Sequence, residues 1–369
     1  MNSLVRATRL VVDEEKIIKN INAVQEYIGN DVKIMPIIKA NCYGSHINKN
    51  LKILNKFDIV GVSLVDEAIH LREVGYKKDI FVLYPPVINE LPAIINNNLI
   101  INGCNIDILL KLKELSKNKK ISVHVEIETG MGRTGIQLNK LNDFIDKADK
   151  MDNIEIVGAF THFASSSKDL DFTKVQISRF EKALKIIKDR NIDLKYIHVC
   201  NSGAIFNFKN NLYNMVRIGL LLLGYYPNSK FKNIIKLYPS LTLKTKINYL
   251  KEIDVGDTVG YNKNFIAKRK SKIATIPFGF GDGLIGLETG DPYVIINGKK
   301  AFIIGICMDN MMIDVTDIED INYETDVFIW DNKNLTVEKV AEWIPDLCSY
   351  EILCSLSERL PRDFIGKER

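Results

Sequence analysis

With 369 residues, 46% hydrophobic and 26% charged, the chain has the make-up of a globular enzyme and exceeds the length one core normally fills, which predicts two domains. A formal charge of +4, spread along helix faces with only short clusters such as Lys268-Arg269-Lys270, excludes neither sign of surface but argues against a nucleic-acid partner. The N-terminal residues lack a signal-peptide apolar core and no run reaches membrane-spanning length, so no membrane partner and a cytoplasmic location are expected. Six scattered cysteines form no Cys-x-x-Cys pair, which predicts reduced thiols and no metal site.

From about residue 10 to 235 apolar, β-rich runs alternate with amphipathic stretches. Strands are predicted at 34–39, 59–63, 80–84, 99–101, 123–128, 154–161, 196–201 and 216–220, with helices between most of them, as at 14–27, 66–74, 138–151 and 172–189. Eight strands with intervening helices are the count of an α/β fold of the TIM-like (β/α)8 barrel type, though a doubly wound sheet gives the same alternation. From residue 236 the texture becomes strand and turn, with runs at 241–249, 273–277, 293–296, 301–306, 311–315 and 326–330 and a helical close at 337–343 and 350–358. A C-terminal predominantly β domain over 236–369, joined by residues 1–9, is the expected partner of a barrel over 10–235.

The stretch 34–44 is an apolar run that ends on Lys39 and breaks at Gly44. A lysine there is either solvated or has a chemical use, for which a Schiff base is the usual one. Further polar residues follow other strand ends, which share one face in a parallel barrel. They are Tyr43, Arg133, His162, Asn201-Ser202-Gly203 after His198, and Arg217 with Gly219. Small hydroxyls and glycine amides suit a phosphate, while a lysine and a histidine suit an aromatic aldehyde.

These motifs run in order as Lys39-Ala40-Asn41-Cys42-Tyr43-Gly44, Thr129-Gly130-Met131-Gly132-Arg133, Thr161-His162-Phe163-Ala164, Asn201-Ser202, Met215-Val216-Arg217-Ile218-Gly219, Val259-Gly260-Tyr261, Cys307-Met308-Asp309 and Tyr350-Glu351-Ile352-Leu353 with Arg359-Leu360-Pro361-Arg362. Taken together the chain resembles the alanine racemase family, fold-type III enzymes that use pyridoxal 5'-phosphate. The resemblance implies that Lys39 carries the cofactor as a Schiff base and serves as one base, with Tyr261 on the opposite face of the substrate. In the family that tyrosine comes from a second copy of the chain, so a homodimer with shared sites is implied. It also implies that Tyr43, Ser202, Tyr350 and the backbone near Asn201, Gly203, Gly219 and Leu220 hold the phosphate, that His162 lies against the pyridine ring, and that Arg217 faces the ring nitrogen. Arginine cannot accept a proton there, which leaves the ring a weak electron sink and favours racemisation over decarboxylation or transamination. Arg133, Met308 and Asp309 would form the substrate side. The implied reaction interconverts L-alanine and D-alanine, the latter for peptidoglycan; a racemase of serine, lysine or arginine is the alternative, followed by a non-catalytic cofactor-binding protein.

Four places in the chain depart from the family pattern. Glu126 stands where many members carry a lysine whose carbamate faces the nearby arginine, so Glu126 is expected to orient Arg133 directly. Phe280 and Leu223 each replace a common tyrosine, and Ser45-His46 follows Gly44 where histidine and glycine are usual.

Overall fold

The computed structural model describes residues 5–117, 119–284, 286–287 and 290–366. Residues 1–4 and 367–369 of the expected β domain lie outside them. The chain divides into two compact units, one of residues 17–42 and 46–238 and the other of 1–16, 43–45 and 239–369.

Among the described residues eight parallel strands make the wall of the first unit: β1 (Lys33–Pro36), β2 (Ile59–Val62), β3 (Asp79–Val82), β4 (Ile100–Asn102), β5 (Ile121–Glu128), β6 (Ile154–Phe160), β7 (Tyr196–His198) and β8 (Met215–Ile218), and a two-residue strand, Ile136–Gln137, pairs parallel with the end of β5. Strands β2 to β7 pair in sequence order, and β8 pairs with β1. Two seams close the ring: Ile37 bridges to Gly61 beyond β1, and the Arg217 amide of β8 donates to the Cys200 carbonyl just after β7 at 2.9 Å. Met35, Ile59, Phe81, Ile100, Phe160, Tyr196 and Met215, one from each of seven strands, form a single buried cluster. The eighth, β5, adds the His124 ring 4.3 Å from that of Phe81. One side chain from every strand meeting at a common centre is the filled interior of a barrel.

Helices follow most strands, the longest being Leu170–Asp189, capped by the Asp169 carboxylate on the Phe172 amide. Strand β1 stops at Pro36, short of Lys39, because proline has no N–H to continue the ladder. The chain from 37 to 44 is therefore loop and turn rather than strand.

The second unit is a nine-stranded, mainly antiparallel sheet. Its order is Tyr249–Ile253, Ser271–Ile276, Met311–Asp314, Lys299–Ile306, Tyr293–Ile296, Asp326–Trp330, Leu241–Lys246, Arg9–Asp13 and Arg362–Ile365. The predicted run 241–249 is two strands. Arg9–Asp13 pairs antiparallel with Leu241–Lys246 and parallel with Arg362–Ile365, so the segment from residue 10 to 16, expected to open the barrel, belongs with this sheet. A buried carboxylate pins one of its loops: Asp282 accepts from both terminal guanidinium nitrogens of Arg6 at 2.6 Å and from the Gly279 amide at 3.1 Å. Gly279 is required there, since a Cβ would lie 2.2 Å from the Cys307 carbonyl oxygen.

Candidate active site

Past β1 the backbone does something L-residues avoid. Ala40, Asn41, Cys42 and Tyr43 all have φ between +49° and +53°, one turn of left-handed helix, and Gly44 follows at +73°. Such a turn costs about 1–2 kcal/mol per non-glycine residue, so it persists only where its surroundings over-determine it. Local bonds hold it: Cys42 N–H to the Ile38 carbonyl at 3.0 Å, His46 N–H to the Asn41 carbonyl at 2.7 Å, and Ala40 N–H to the Glu67 carboxylate at 2.6 Å. Within the β unit the Gly44 carbonyl accepts from Arg362 Nε at 3.0 Å, and a Cβ on Gly44 would strike the Leu353 carbonyl. Half-buried Lys39 stands at the start of this strained turn.

Arg217, on β8, is buried to 3% exposure. One terminal nitrogen donates to the His198 carbonyl at 2.7 Å and to His198 Nδ1 at 2.9 Å; the other donates to the Thr161 and Val199 carbonyls at 2.9 and 3.1 Å and lies 3.4 Å from His162 Nδ1. Nε–H is left without a partner among the described residues. Because arginine only donates, His198 must present a lone pair at Nδ1 and carry its proton on Nε2. That N–H donates to His124 Nδ1 at 3.0 Å, and His124 Nε2 ends the chain without a partner among the described residues. His198 stacks on Phe160 with ring centroids 5.0 Å apart. Burial, then the nearby Arg217 charge, pushes His162 down to about 3 and His198 well below the ordinary histidine value; in His124, also near 3, burial again dominates, followed by Lys195 and Arg217. All three rings are neutral at pH 7. Burial lowers Arg217 to about 10, which leaves it charged.

His162 is held from behind. Gln176, fully buried, donates to its carbonyl at 3.1 Å and accepts from the Ala164 amide at 3.0 Å. Asn201 Oδ1 accepts from the Gly203 and Ala204 amides at 3.1 Å and from the Ser166 hydroxyl at 2.8 Å. The Gly203 amide is thus already used by its own loop, contrary to its expected role as a donor to an anion. The Ser202 hydroxyl has no protein partner among the described residues, and the Gly219 and Leu220 amides open the short helix Leu220–Leu223, where no carbonyl lies four residues back.

The expected Glu126–Arg133 pair is not made. Glu126, 2% exposed, receives Asn102 Nδ2 at 2.6 Å and Thr134 Oγ1 at 2.7 Å on the same oxygen, while exposed Arg133 lies over the Tyr84 ring at 5.1 Å. Thr134 follows Arg133 directly and is half-buried where Arg133 is exposed, and its hydroxyl rather than the guanidinium reaches the carboxylate. Asn102→Ala, which strips Glu126 and the Leu83 carbonyl of their shared donor, should cost about 2 kcal/mol in urea denaturation.

In the β unit Tyr261 follows Gly260 (φ +81°) and is 67% exposed, and Tyr350 lies on the helix Ser349–Ser355. A hydrogen bond with Cys348, then burial, pushes the Tyr350 phenol up to about 12. Met308 is exposed, and the Asp309 carboxylate is engaged by Arg359 at 2.6 Å. His124, Glu67 and Gln176 were not singled out by sequence; His124 and Gln176 look like ordinary strand and helix residues, and Glu67 like a first-turn acid.

An α/β barrel that carries a lysine on a strained turn past one strand and a buried donor-only arginine on another, together with a separate β unit, defines the two-domain class of fold-type III enzymes. Residues 12–227 match the family model "Alanine racemase, N-terminal domain" and residues 240–364 "Alanine racemase, C-terminal domain". Alanine racemase 2 of Caldanaerobacter subterraneus subsp. tengcongensis is 34% identical over 98% of this chain and 95% of its own. The alanine racemase of Clostridium difficile 630 superposes with a TM-score of 0.93 at 28% identity, covering 98% of this chain and 96% of that one, and the Bacillus anthracis enzyme, solved with bound L-Ala-P, with 0.91 at 29% over the same shares. The chain belongs to the alanine racemase family, and it is an isomerase.

Proposed function

We propose that the chain racemises alanine with pyridoxal 5'-phosphate, through Lys39 and Tyr261 as the two bases. The observation that carries the reading is Arg217: a buried, permanently charged group whose free Nε–H suits a ring nitrogen used as an acceptor and cannot suit one that must give up a proton. The Ser202 hydroxyl, the Gly219 and Leu220 amides and the Tyr43 and Tyr350 phenols supply neutral donors for a phosphate. When bound, the cofactor withdraws electrons from the substrate α-carbon and so acidifies its proton. The protein's own share is then proton traffic. The Lys39 amine takes or returns the proton on one face and the Tyr261 phenol on the other, because inversion requires removal and delivery from opposite sides. His162 stays neutral, so it adds no second positive charge beside Arg217. Arg133 and the Met308 amide serve the substrate carboxylate. Tyr261 acts in the site of a second copy of the chain, in a cytoplasmic homodimer that supplies D-alanine for peptidoglycan. No helix among the described residues is long and apolar enough to cross a membrane.

Incubation of the cofactor-loaded protein with a panel of L-amino acids, read by chiral chromatography, tests this. Alanine is expected to turn over at least about tenfold faster than serine, lysine or arginine, the discrimination that filling or clashing in a small pocket supplies. Faster turnover of serine or lysine overturns the substrate; no racemisation at all overturns the function.

A further inference from the structure

Glu67 opens the helix Val65–Glu73 that follows β2. Its Oε2 accepts from the Ser63 and Leu64 amides at 2.8 and 3.1 Å, an ordinary way to satisfy the free N–H groups of a helix start. Its Oε1 does something that capping does not need. It accepts from the Ala40 amide at 2.6 Å, in the loop after β1, so one carboxylate ties two neighbouring strand-end loops together.

The bonded amide is the one that follows Lys39. Rotation about the Cα–C bond of Lys39 turns the whole Lys39–Ala40 peptide plane, because the peptide itself is rigid. Fixing the Ala40 N–H fixes that rotation, and with it the direction in which the Lys39 side chain leaves the backbone. The next four residues all sit in the left-handed region, which no intrinsic preference of Ala, Cys or Tyr supports. The turn therefore needs an anchor at its first peptide, and Glu67 supplies a charge-assisted one. The helix side holds the anchor rigid through two further bonds.

We propose that Glu67 is a positioning residue for Lys39: it sets the amine's exit angle by clamping the 39–40 peptide to the start of the next helix. The inference rests on the role given to Lys39 above. Glutamine cannot replace it in full, because its amide has one acceptor oxygen and its NH2 would face an N–H donor. E67Q thus keeps one of the two arms, and E67A keeps neither.

The test compares wild type, E67Q and E67A, each first checked for native circular dichroism. Hydrogen exchange is followed on the cofactor-free protein in segments 39–43 and 63–73, and kcat and KM are measured on the loaded enzyme. In E67Q exchange in 39–43 should quicken by about tenfold or more. Its kcat should fall about tenfold with KM changed less than about threefold, the split expected when a reacting group is misaimed and binding is left intact. If exchange quickens only in 63–73 while kcat stays within about twofold of wild type, Glu67 is a helix cap alone and the proposal falls. The exchange arm needs no cofactor, so it is decided even where wild type fails to racemise; that failure would overturn the proposed function instead. If E67A unfolds, E67Q alone decides.

Discussion

Lys39→Ala is expected to lower alanine racemisation by about 10⁴-fold or more and to abolish the visible absorption band of cofactor held by the protein. Both losses follow from one atom. The Lys39 amine is the proposed covalent tether and one of two proton carriers, and alanine supplies neither a nucleophile nor a base. The substitution should leave the fold intact, because Lys39 is only half-buried and the turn after it is held by backbone bonds at Ala40, Cys42 and His46. Thermal unfolding should therefore shift by no more than a few degrees, which separates a chemical loss from a structural one. A variant that keeps the band, or keeps activity within about tenfold of wild type, would remove Lys39 from the reaction. Added small amines should restore a fraction of the rate if the missing function is the proton carrier.

The barrel was legible because its signal is local. Each strand is a short, mostly apolar run of three to eight residues between helical periods, and all eight predicted runs coincide with observed strands to within a few residues. Ends were less legible: Pro36 stops β1 before Lys39, and the run 241–249 hides a break. Arg9–Asp13 was missed as a strand of the sheet because its partners are Leu241–Lys246 and Arg362–Ile365, more than two hundred residues away, and no local pattern announces such pairing.

The candidate site is legible where a residue type is itself unusual, as with a lysine just past one apolar run and an arginine within another. It was illegible where the chemistry is set by an environment. Nothing in Ala40-Asn41-Cys42-Tyr43 signals a left-handed turn beyond the asparagine and the following Gly44. His124 alternates with apolar neighbours like any inward strand residue, and only the folded barrel shows it meeting His198 at 3.0 Å. Glu126 is expected to face Arg133 because it stands where the family carries a carbamylated lysine, whereas β4 and the loop after β5 deliver Asn102 and Thr134 to its carboxylate.

Acid should weaken the barrel steeply between about pH 6.5 and pH 3, by about 3–4 kcal/mol already at pH 5.5 relative to pH 7.5. His124 and His162 are held near 3 and His198 well below its ordinary value, whereas in the unfolded chain each titrates near 6.5. A depressed histidine means that the unfolded state binds more protons throughout this window, so unfolding gains free energy as pH falls through 6.5. Each site adds about 1.4 kcal/mol per pH unit below that point until its folded value is reached. His162 keeps some contact with solvent and contributes least. The three cannot relieve this by charging in place: protonation of His198 would remove the Nδ1 lone pair that Arg217 uses and set two cations 2.9 Å apart. Urea denaturation offers a reading that assigns the effect. Most helical residues lie in the barrel unit, so far-ultraviolet circular dichroism follows it, while both tryptophans, Trp330 and Trp343, report on the β unit. Between pH 7.5 and 5.5 the dichroism midpoint should drop well below the fluorescence midpoint. His162→Gln should retain most of that drop, and His198→Gln, which keeps a hydrogen-bonding side chain for Arg217 but cannot charge, should lose about a third of it. Equal shifts of the two midpoints, or an unchanged drop in His198→Gln, would show that carboxylates rather than the buried histidine chain set the acid limit.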